Sequence, residues 1–485
     1  MSGDTRPPRA AEPPLVIDLD GTLLRSDLLL ESALAHVRTR PLQMLAPLAW
    51  LAGGKVHLKQ RLAQSVELDV TALPYDQRVL DLIGRERAAG RRIVLATASH
   101  RLYADRIAAH LQLFDEVLAS EGAVNLSAER KRDRLLQRYG AQGYDYAGNA
   151  ADDLPVWAGA RHAYVVSAGG RLQRRAAAQG NVAAVLPPPA PLQQLRAGLR
   201  AMRLHQWAKN LLIFLPLLAA HQAHQPQHLL AGVLAFICFS LCASSVYLLN
   251  DLLDLDDDRH HHSKRRRPFA SGQLPLLAGI LLTPLLLGAA FALGLTLLPW
   301  RFSAVLLAYY VLTLAYSLYL KRLMALDAIT LAGLYTLRLI AGGAAFGVPL
   351  TFWMLAFSMF MFLSLALVKR YAELRVARHR GDTHQARGRG YFPGDLEMIA
   401  SLGAASGYLS VLVLALYTQD RATMALYRQP QLIWLACPLL LLWVTRIWML
   451  THRGEMHDDP VVFALKDRTS LVVGALFALI FWSAT

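Results

Sequence analysis

Asn250-Asp251-Leu252-Leu253-Asp254-Leu255-Asp256-Asp257-Asp258 directly follows an apolar run, residues 229–249, that contains no Lys, Arg, Asp or Glu. Carboxylates at the mouth of a membrane helix are costly unless something pairs with them. In helical register Asn250, Asp254 and Asp258 fall at i, i+4 and i+8, one stripe with Asp251 at its edge. A stripe of acids facing a cavity needs cations. Mg²⁺ is the natural one, because it takes oxygen ligands, often one or two carboxylates together with substrate phosphate oxygens. The stretch therefore points to a diphosphate held at a membrane surface, with Asp251, Asp254 and Asp258 holding Mg²⁺ and Asn250 assisting.

Next come Arg259 and then His260-His261-His262-Ser263-Lys264-Arg265-Arg266-Arg267-Pro268. A positive-inside loop, or a patch for anionic lipid, would account for this charge alone. Its contiguity with the acids argues for more. Lys264 and Arg267 are placed to neutralise the part of a departing diphosphate that Mg²⁺ leaves uncovered. The histidines read as solvated loop residues rather than as a metal site.

Working outward, nine apolar segments centre on about Ile213, Phe236, Leu286, Leu307, Tyr335, Phe360, Val411, Leu440 and Ala475. With the N-terminus in the cytoplasm, the loops after the second, fourth, sixth and eighth segments lie inside. They carry Arg259 with Lys264-Arg265-Arg266-Arg267, then Lys321 and Arg322, the basic stretch 369–389, and Arg453 with Lys466 and Arg468. The opposite loops carry little more than Arg301, Arg421 and Arg428. That asymmetry is the positive-inside pattern of a multi-pass protein of the inner (cytoplasmic) membrane. Trp300, Trp353 and Tyr427, near segment ends, suit an interfacial belt.

The remaining composition agrees. A chain of 485 residues is too long for one ordinary domain, and its 54% apolar content is concentrated after about residue 205. The net charge of +15 reads as cytoplasmic loops, not nucleic-acid binding, because no basic patch is interleaved with aromatic residues. Cys238, Cys242 and Cys437 lie in apolar spans with neither disulfide nor zinc spacing. Residues 1–14 are polar, Pro-rich and expected to be disordered. They lack the apolar core of a signal peptide. Leu186-Pro187-Pro188-Pro189-Ala190-Pro191 marks a stiff linker, residues 186–194. The expected domains are 15–185 and 195–485.

Three polar clusters end short apolar runs in the first domain: Asp18-Leu19-Asp20-Gly21-Thr22, Thr97-Ala98-Ser99 and Gly148-Asn149-Ala150-Ala151-Asp152-Asp153. Helical patterns separate them, which predicts a parallel α/β sheet with its ligands beyond the carboxyl ends of the strands. The residues suit phosphoryl transfer through an aspartyl phosphate. Asp18 is the nucleophile, and Asp20 the acid that protonates the leaving oxygen and then activates water. Thr97 and Lys131 hold phosphoryl oxygens, and Asp153, with Asp18 and Asp20, serves Mg²⁺. This pattern resembles the haloacid dehalogenase-like hydrolases over about residues 15–165, implying a Rossmann-like fold with a small helical cap near 27–90. Asn149 departs from it, since the family usually has an acid directly after that glycine. Within the cap, residues 41–53 are apolar but too short to span a bilayer, which suits a cap helix or one resting on the membrane.

Further charged clusters mark the membrane half. Arg203-Leu204-His205-Gln206-Trp207-Ala208-Lys209-Asn210 opens its first segment, and Tyr316-Ser317-Leu318-Tyr319-Leu320-Lys321-Arg322 precedes Asp327. Arg338 lies inside an apolar segment, where a charge is a functional candidate. Lys369-Arg370-Tyr371-Ala372-Glu373 closes the sixth segment. With the acid motif and nine segments, residues 195–485 resemble the UbiA superfamily of intramembrane prenyltransferases, an all-α membrane bundle. That resemblance implies a Mg²⁺-diphosphate bound between two acidic motifs. Of the second motif only Asp327 is present, since Leu331 stands four residues on.

This departure and the surplus of basic residues look more like the polyprenyl-phosphate phosphoribosyltransferase branch. There the diphosphate is that of phosphoribosyl diphosphate and a polyprenyl phosphate is the acceptor. Lys209, Lys264, Arg267, Lys321 and Arg338 would bind phosphates, and Asp327 would hold a second ion or orient the ribose. The fused hydrolase would remove the 5-phosphate from the lipid product. The competing readings are an aromatic prenyltransferase using polyprenyl diphosphate, and a non-catalytic membrane anchor or transporter. Nothing in the residues bears on oligomeric state.

Overall fold

The computed structural model describes residues 12–122, 124–222, 224–381, 389–420, 427–456 and 459–485. The expected tail up to residue 11, part of the basic stretch ending at Arg389, and Arg421 lie outside the described residues. The chain divides into two compact units. One comprises Met1–Met202 together with Tyr247–Thr283, and the other Arg203–Val246 with Pro284–Thr485. The boundary thus lies a little beyond the Pro-rich stretch, and the acid motif and the basic loop after it belong to the first unit.

The first unit is built on six parallel strands: β1 (Leu15–Ile17), β2 (Ile93–His100), β3 (Glu116–Ser120), β4 (Asp145–Gly148), β5 (Ala163–Val166) and β6 (Val182–Leu186). Their order is β3-β2-β1-β4-β5-β6, so the winding reverses at β1, which pairs with both β2 and β4. A sheet covered on both faces needs strands that are apolar throughout. Leu15-Val16-Ile17 meets that demand, with Leu15 and Ile17 in one core and Val16 in the other. The crevice at the reversal point, beyond the carboxyl ends of the strands, is where ligands bind in such sheets. β1 ends there, immediately before Asp18.

The cap follows β1. Helix Leu28–Thr39 starts at Asp27, whose carboxylate accepts the Leu29 and Leu30 amides at 2.9 and 3.1 Å, a common N-cap arrangement. Pro41–Gln43, Ala46–Ala52 and Lys55–Ser65 complete it. The apolar stretch expected to be a cap helix is helical in two pieces. Leu42, Met44, Leu45 and Leu48 on it are exposed.

Tyr247–Thr283 joins this unit through charge. The Arg259 guanidinium donates to both carboxylate oxygens of Glu31 on the first cap helix, at 2.6 and 3.1 Å. Both side chains are buried, and the Ser26 hydroxyl donates to the same carboxylate. Arg38 pairs with Asp257, and His260 meets Asp69 at 2.9 Å. Removing one partner of a buried ion pair leaves the other charge uncompensated. Glu31→Gln is therefore expected to destabilise this unit by about 3–5 kcal/mol, measured as a lower urea midpoint of the full chain in detergent. An unchanged midpoint would show that the pair contributes nothing net.

The second unit is helical. Across the whole chain seven helices among the described residues are long and apolar enough to cross a membrane: Pro226–Leu253, Leu276–Leu297, Trp300–Leu318, Leu326–Phe346, Phe352–His379, Pro393–Tyr417 and Pro430–Arg453. Nine were expected. The segment around Ile213 is wound tightly over Leu204–Phe214 and continues only as the short helix Leu215–Ala219, because His205, Gln206, Lys209 and Asn210 interrupt its apolar run. The segment around Ala475 is the helix Arg468–Ala484. Asp467 fixes its start by accepting the Ser470 amide at 2.8 Å, which leaves 17 residues. Small residues let these segments approach closely. At Gly342 a Cβ would lie 2.0 Å from the Ile213 carbonyl oxygen.

Candidate functional site

In the first unit the crevice beyond β1 opens into a cavity of about 640 Å³ lined by Asp18, Asp20, Lys59, Lys131, Asn149 and Asp152, among others. Asp18 leaves β1 with one carboxylate oxygen 2.6 Å from Lys131 Nζ. Asp20 accepts the Leu28 amide at 2.8 Å and the Ser99 hydroxyl at 2.5 Å. Thr97 is buried on β2, and its hydroxyl oxygen accepts the Ser99 amide at 3.0 Å. Gly21, at φ +73°, lies so close to Asn149 that a Cβ would meet the amide nitrogen at 2.0 Å. Only glycine tolerates both constraints.

The charges are set by burial. Burial pushes the Asp18 carboxyl up to about 6, with Lys131 opposing and Asp153 adding to the rise. Burial, helped by Asp27, pushes Asp20 up to about 7 against the hydrogen bonds from Ser99 and Leu28. An acid kept protonated near neutrality is what a proton donor to a leaving oxygen requires. Burial works against the Lys131 charge, yet Asp18 and Asp153 outweigh it and raise its pKa.

Asp153 is engaged by the protein on both oxygens. Oδ2 accepts the Asn149 and Ala150 amides, each at 2.9 Å, and Oδ1 accepts the Tyr146 hydroxyl at 2.7 Å. It shapes the loop after β4. The cap contributes Lys59, which sequence reasoning missed. Its ammonium donates to the Ala98 carbonyl at 2.6 Å and to Asn125 at 3.3 Å. Lys59 is one of two lysines in the cap, with Lys55, and it stands in no motif that would mark it in the sequence.

The acid motif is also in the first unit. Helix Pro226–Leu253 ends just before Asp254, and a short helix, Leu255–His260, follows. The Asp254 amide still donates to the Asn250 carbonyl and the Asp258 amide to the Asp254 carbonyl, both at 2.8 Å, so the helical phase continues. The buried pair differs from the expected stripe. Asp251 and Asp258, seven apart, are buried, while Asn250 and Asp254 are half-buried. Arg267, expected to meet phosphate, donates from Nη1 to Asp251 at 3.1 Å and to both oxygens of Asp258 at 2.9 and 2.7 Å. Even so, burial pushes Asp258 up to about 6. Lys264 is exposed on the turn Lys264–Arg266. Closely spaced hard oxygen donors at i, i+3 and i+7 suit a Mg²⁺ ion, and so do the paired carboxylates at the mouth of the hydrolase-like crevice.

The second unit holds the other predicted residues. Lys209 is buried and its ammonium lies 2.6 Å from Asp459, which also accepts the Tyr335 hydroxyl at 3.2 Å and faces Lys369 at 3.5 Å. Burial raises the Asp459 pKa, but the two lysines outweigh it and hold the carboxyl at about 2. Asp459 was not anticipated, because Asp459-Pro460 reads as an ordinary helix start, a role it also fills by accepting the Val461 amide. Arg338 donates to Asn210 Oδ1 at 2.8 Å and to the Tyr309 hydroxyl at 3.2 Å, and stands over the rings of Tyr309 and Tyr335.

Asp327 is fully buried between two arginines, with Arg370 Nε at 2.5 Å and Arg389 Nη1 at 2.9 Å, and it accepts the Tyr316 hydroxyl at 2.8 Å. Oδ1 takes both the Tyr316 and Arg389 hydrogen bonds, while Oδ2 has only the ion-pair contact with Arg370. Neither arginine was singled out beforehand as its partner. Lys321 is half-buried on the turn Leu320–Arg322.

Comparison with known proteins finds one family in each half of the sequence, and the second match includes Tyr247–Thr283, which packs in the first unit. The model of the haloacid dehalogenase-like hydrolases matches residues 15–165. A protein of Sinorhizobium fredii described as uncharacterized protein y4nM is 38% identical over 96% of this chain and 90% of its own length. The nodulation protein NoeC of Azorhizobium caulinodans is 35% identical over 58% of this chain and 91% of its own. The decaprenyl-phosphate phosphoribosyltransferase of Mycolicibacterium smegmatis is 31% identical over 61% of this chain and 96% of its own. The model of the UbiA prenyltransferase family matches residues 211–472, more than half of the sequence, and the chain therefore belongs to that family, as a multi-pass membrane enzyme that also carries a haloacid dehalogenase-like domain.

Proposed function

We propose that the membrane half transfers a phosphoribosyl group from phosphoribosyl diphosphate to a polyprenyl phosphate, and that the N-terminal half removes the 5-phosphate from the lipid product. The observation that carries the first step is the cationic cluster of buried Lys209 and Arg338 with half-buried Lys369. A prenyl donor brings only a diphosphate to be neutralised. A site that takes a diphosphate, a 5-phosphate and a lipid phosphate together needs further cations. The name of the Mycolicibacterium relative points the same way.

In this reading Asp251, Asp254 and Asp258, with Asn250 assisting, hold Mg²⁺, which supplies charge neutralisation to the leaving diphosphate. Lys264, Lys321 and Arg267 take further phosphate oxygens, and Arg267 leaves the Asp251–Asp258 pair to do so. Asp327 orients the ribose side through Arg370 and Arg389. The bond from C1 of the sugar to the diphosphate breaks, with its electrons leaving on the diphosphate. A bond from C1 to the lipid phosphate oxygen forms. No protein base is required, because that phosphate is already anionic.

In the hydrolase half Asp18 attacks phosphorus and Asp20 gives its proton to the departing sugar oxygen. Asp20 then takes a proton from the water that opens the aspartyl phosphate. Thr97 and Lys131 hold the phosphoryl oxygens. The two units are taken as domains of one enzyme of the inner membrane, with the N-terminal half in the cytoplasm.

The test is a transfer assay on the full chain in liposomes with Mg²⁺, labelled phosphoribosyl diphosphate and polyprenyl phosphate. Labelled lipid is the expected product. Product only from polyprenyl diphosphate and a phenolic acceptor would make the protein an aromatic prenyltransferase instead.

A pH dependence follows. Burial holds Asp18 at about 6, so protons compete with the ion below that value and leave as pH rises through it. The half-saturating Mg²⁺ for cleavage of a soluble phosphomonoester should fall about tenfold per unit below pH 6, and level off above. A flat dependence would exclude Asp18 as a ligand.

A further inference from the structure

The helix Pro191–Ala201 links the hydrolase-like sheet to the membrane half, and it is two-faced. Ala197 and Ala201 are buried, whereas Leu192, Leu195 and Leu199, at i, i+3 and i+7, are 56%, 59% and 41% exposed. Arg196 and Arg200 flank the leucines, and no acid occurs between residues 187 and 250. Water does not favour three leucines on one exposed stripe.

The surroundings identify what covers them. Arg200 Nη2 donates to Gln273 Oε1 at 2.7 Å, three residues before the membrane helix Leu276–Leu297 begins. That helix exposes Leu281 from its second turn, and this side chain suits lipid. The last turn of Pro191–Ala201 is thus tied to the level at which a membrane helix begins. A basic, leucine-faced helix at that level matches an anionic bilayer surface in both polarity and charge.

We infer that Pro191–Ala201 is an interfacial helix, lying in the bilayer surface with Leu192, Leu195 and Leu199 among the lipid chains and its arginines on anionic head groups. It also bears on the hydrolase crevice. Gln194, Leu276 and Leu277 line the same cavity as Asp18 and Asp20. The crevice therefore opens at the membrane surface, and its substrate is a phosphomonoester carried on a membrane lipid. This last step rests on the phosphatase reading; the placement of the helix does not.

Spin labels test the placement in the full chain reconstituted in anionic liposomes. The native cysteines are buried, so single cysteines introduced as Leu192→Cys, Leu195→Cys, Leu199→Cys and Gln193→Cys label selectively. The expected result is collision with dissolved oxygen exceeding collision with a water-soluble nickel complex at the three leucine positions, and the reverse at Gln193. Equal nickel access at all four would overturn the inference. So would leucine positions shielded from both, which would place a second copy or another protein on the stripe.

Leu195→Glu should lower cleavage of a lipid phosphomonoester in the same liposomes about tenfold, the loss expected for one buried leucine, with a soluble phosphomonoester cleaved as before. Equal rates on both would overturn the lipid-borne substrate. Absence of cleavage in the unsubstituted protein would overturn the phosphatase reading while leaving the spin-label result intact.

Discussion

Asp254→Ala abolishes formation of labelled lipid while phosphate release from a supplied phosphoribosyl lipid continues. The expected loss of transfer is at least about 10²-fold, the scale of removing one preorganised electrostatic group from a site that stabilises a leaving group. Asp254 is half-buried between Asp251 and Asp258, in helical phase with both. Alanine keeps that phase and removes one oxygen donor of three. The Arg259–Glu31 contact that anchors the loop does not involve Asp254, so the hydrolase crevice should keep its shape. The check is a dual assay on one preparation, with label in lipid and free phosphate measured together. Transfer that survives in Asp254→Ala would remove the acid motif from the chemistry. Loss of both activities would mean that the substitution unfolds the unit.

Asp18→Asn gives the reciprocal result. Phosphate release falls about 10³-fold or more, because an amide cannot form the aspartyl phosphate, while transfer continues and the lipid retains its second phosphate. Asn is nearly the shape of Asp and still faces Lys131, so the fold should hold. The neutral amide relieves burial of a carboxylate but leaves the buried Lys131 with Asp153, 3.8 Å away, and the more distant Asp20 as its remaining acidic neighbours. A lower thermal midpoint is compatible with the prediction; undiminished phosphate release is not. The pair of substitutions separates the two halves in a single chain and shows whether the lipid product of one is the substrate of the other. A tethered second site works at high local concentration, so the doubly phosphorylated lipid should accumulate only when Asp18 is replaced.

The physical limits on reading this sequence are visible in particular residues. The apolar runs and Asp18-Leu19-Asp20-Gly21-Thr22 were enough to expect a parallel sheet with its site beyond β1, because a buried parallel strand must be apolar throughout and its ligands gather at one end. Residues 229–249 followed by Asn250-Asp251-x-x-Asp254-x-x-x-Asp258 were enough to expect a membrane helix that delivers acids to its mouth. Both signals are local and periodic. The count of membrane helices was harder, because the segments near Ile213 and Ala475 lie at the margin of length and apolarity, where caps and polar side chains decide.

Side-chain partnership is not periodic, and the sequence alone did not determine it. Asp251 with Asp258 as the buried pair, Arg267 between them, Asp459 beside Lys209, Asp327 between Arg370 and Arg389, and Glu31 with Arg259 join residues up to 250 positions apart. A buried charge takes whichever opposite charge the packed fold brings within reach, and that is decided by tertiary structure. The chain by itself determined two kinds of fold, a parallel sheet and a membrane bundle. Only the folded molecule decided that the acid motif and the loop after it pack with the hydrolase cap, because the pairing of Glu31 with Arg259 depends on three-dimensional proximity that no spacing in the sequence encodes.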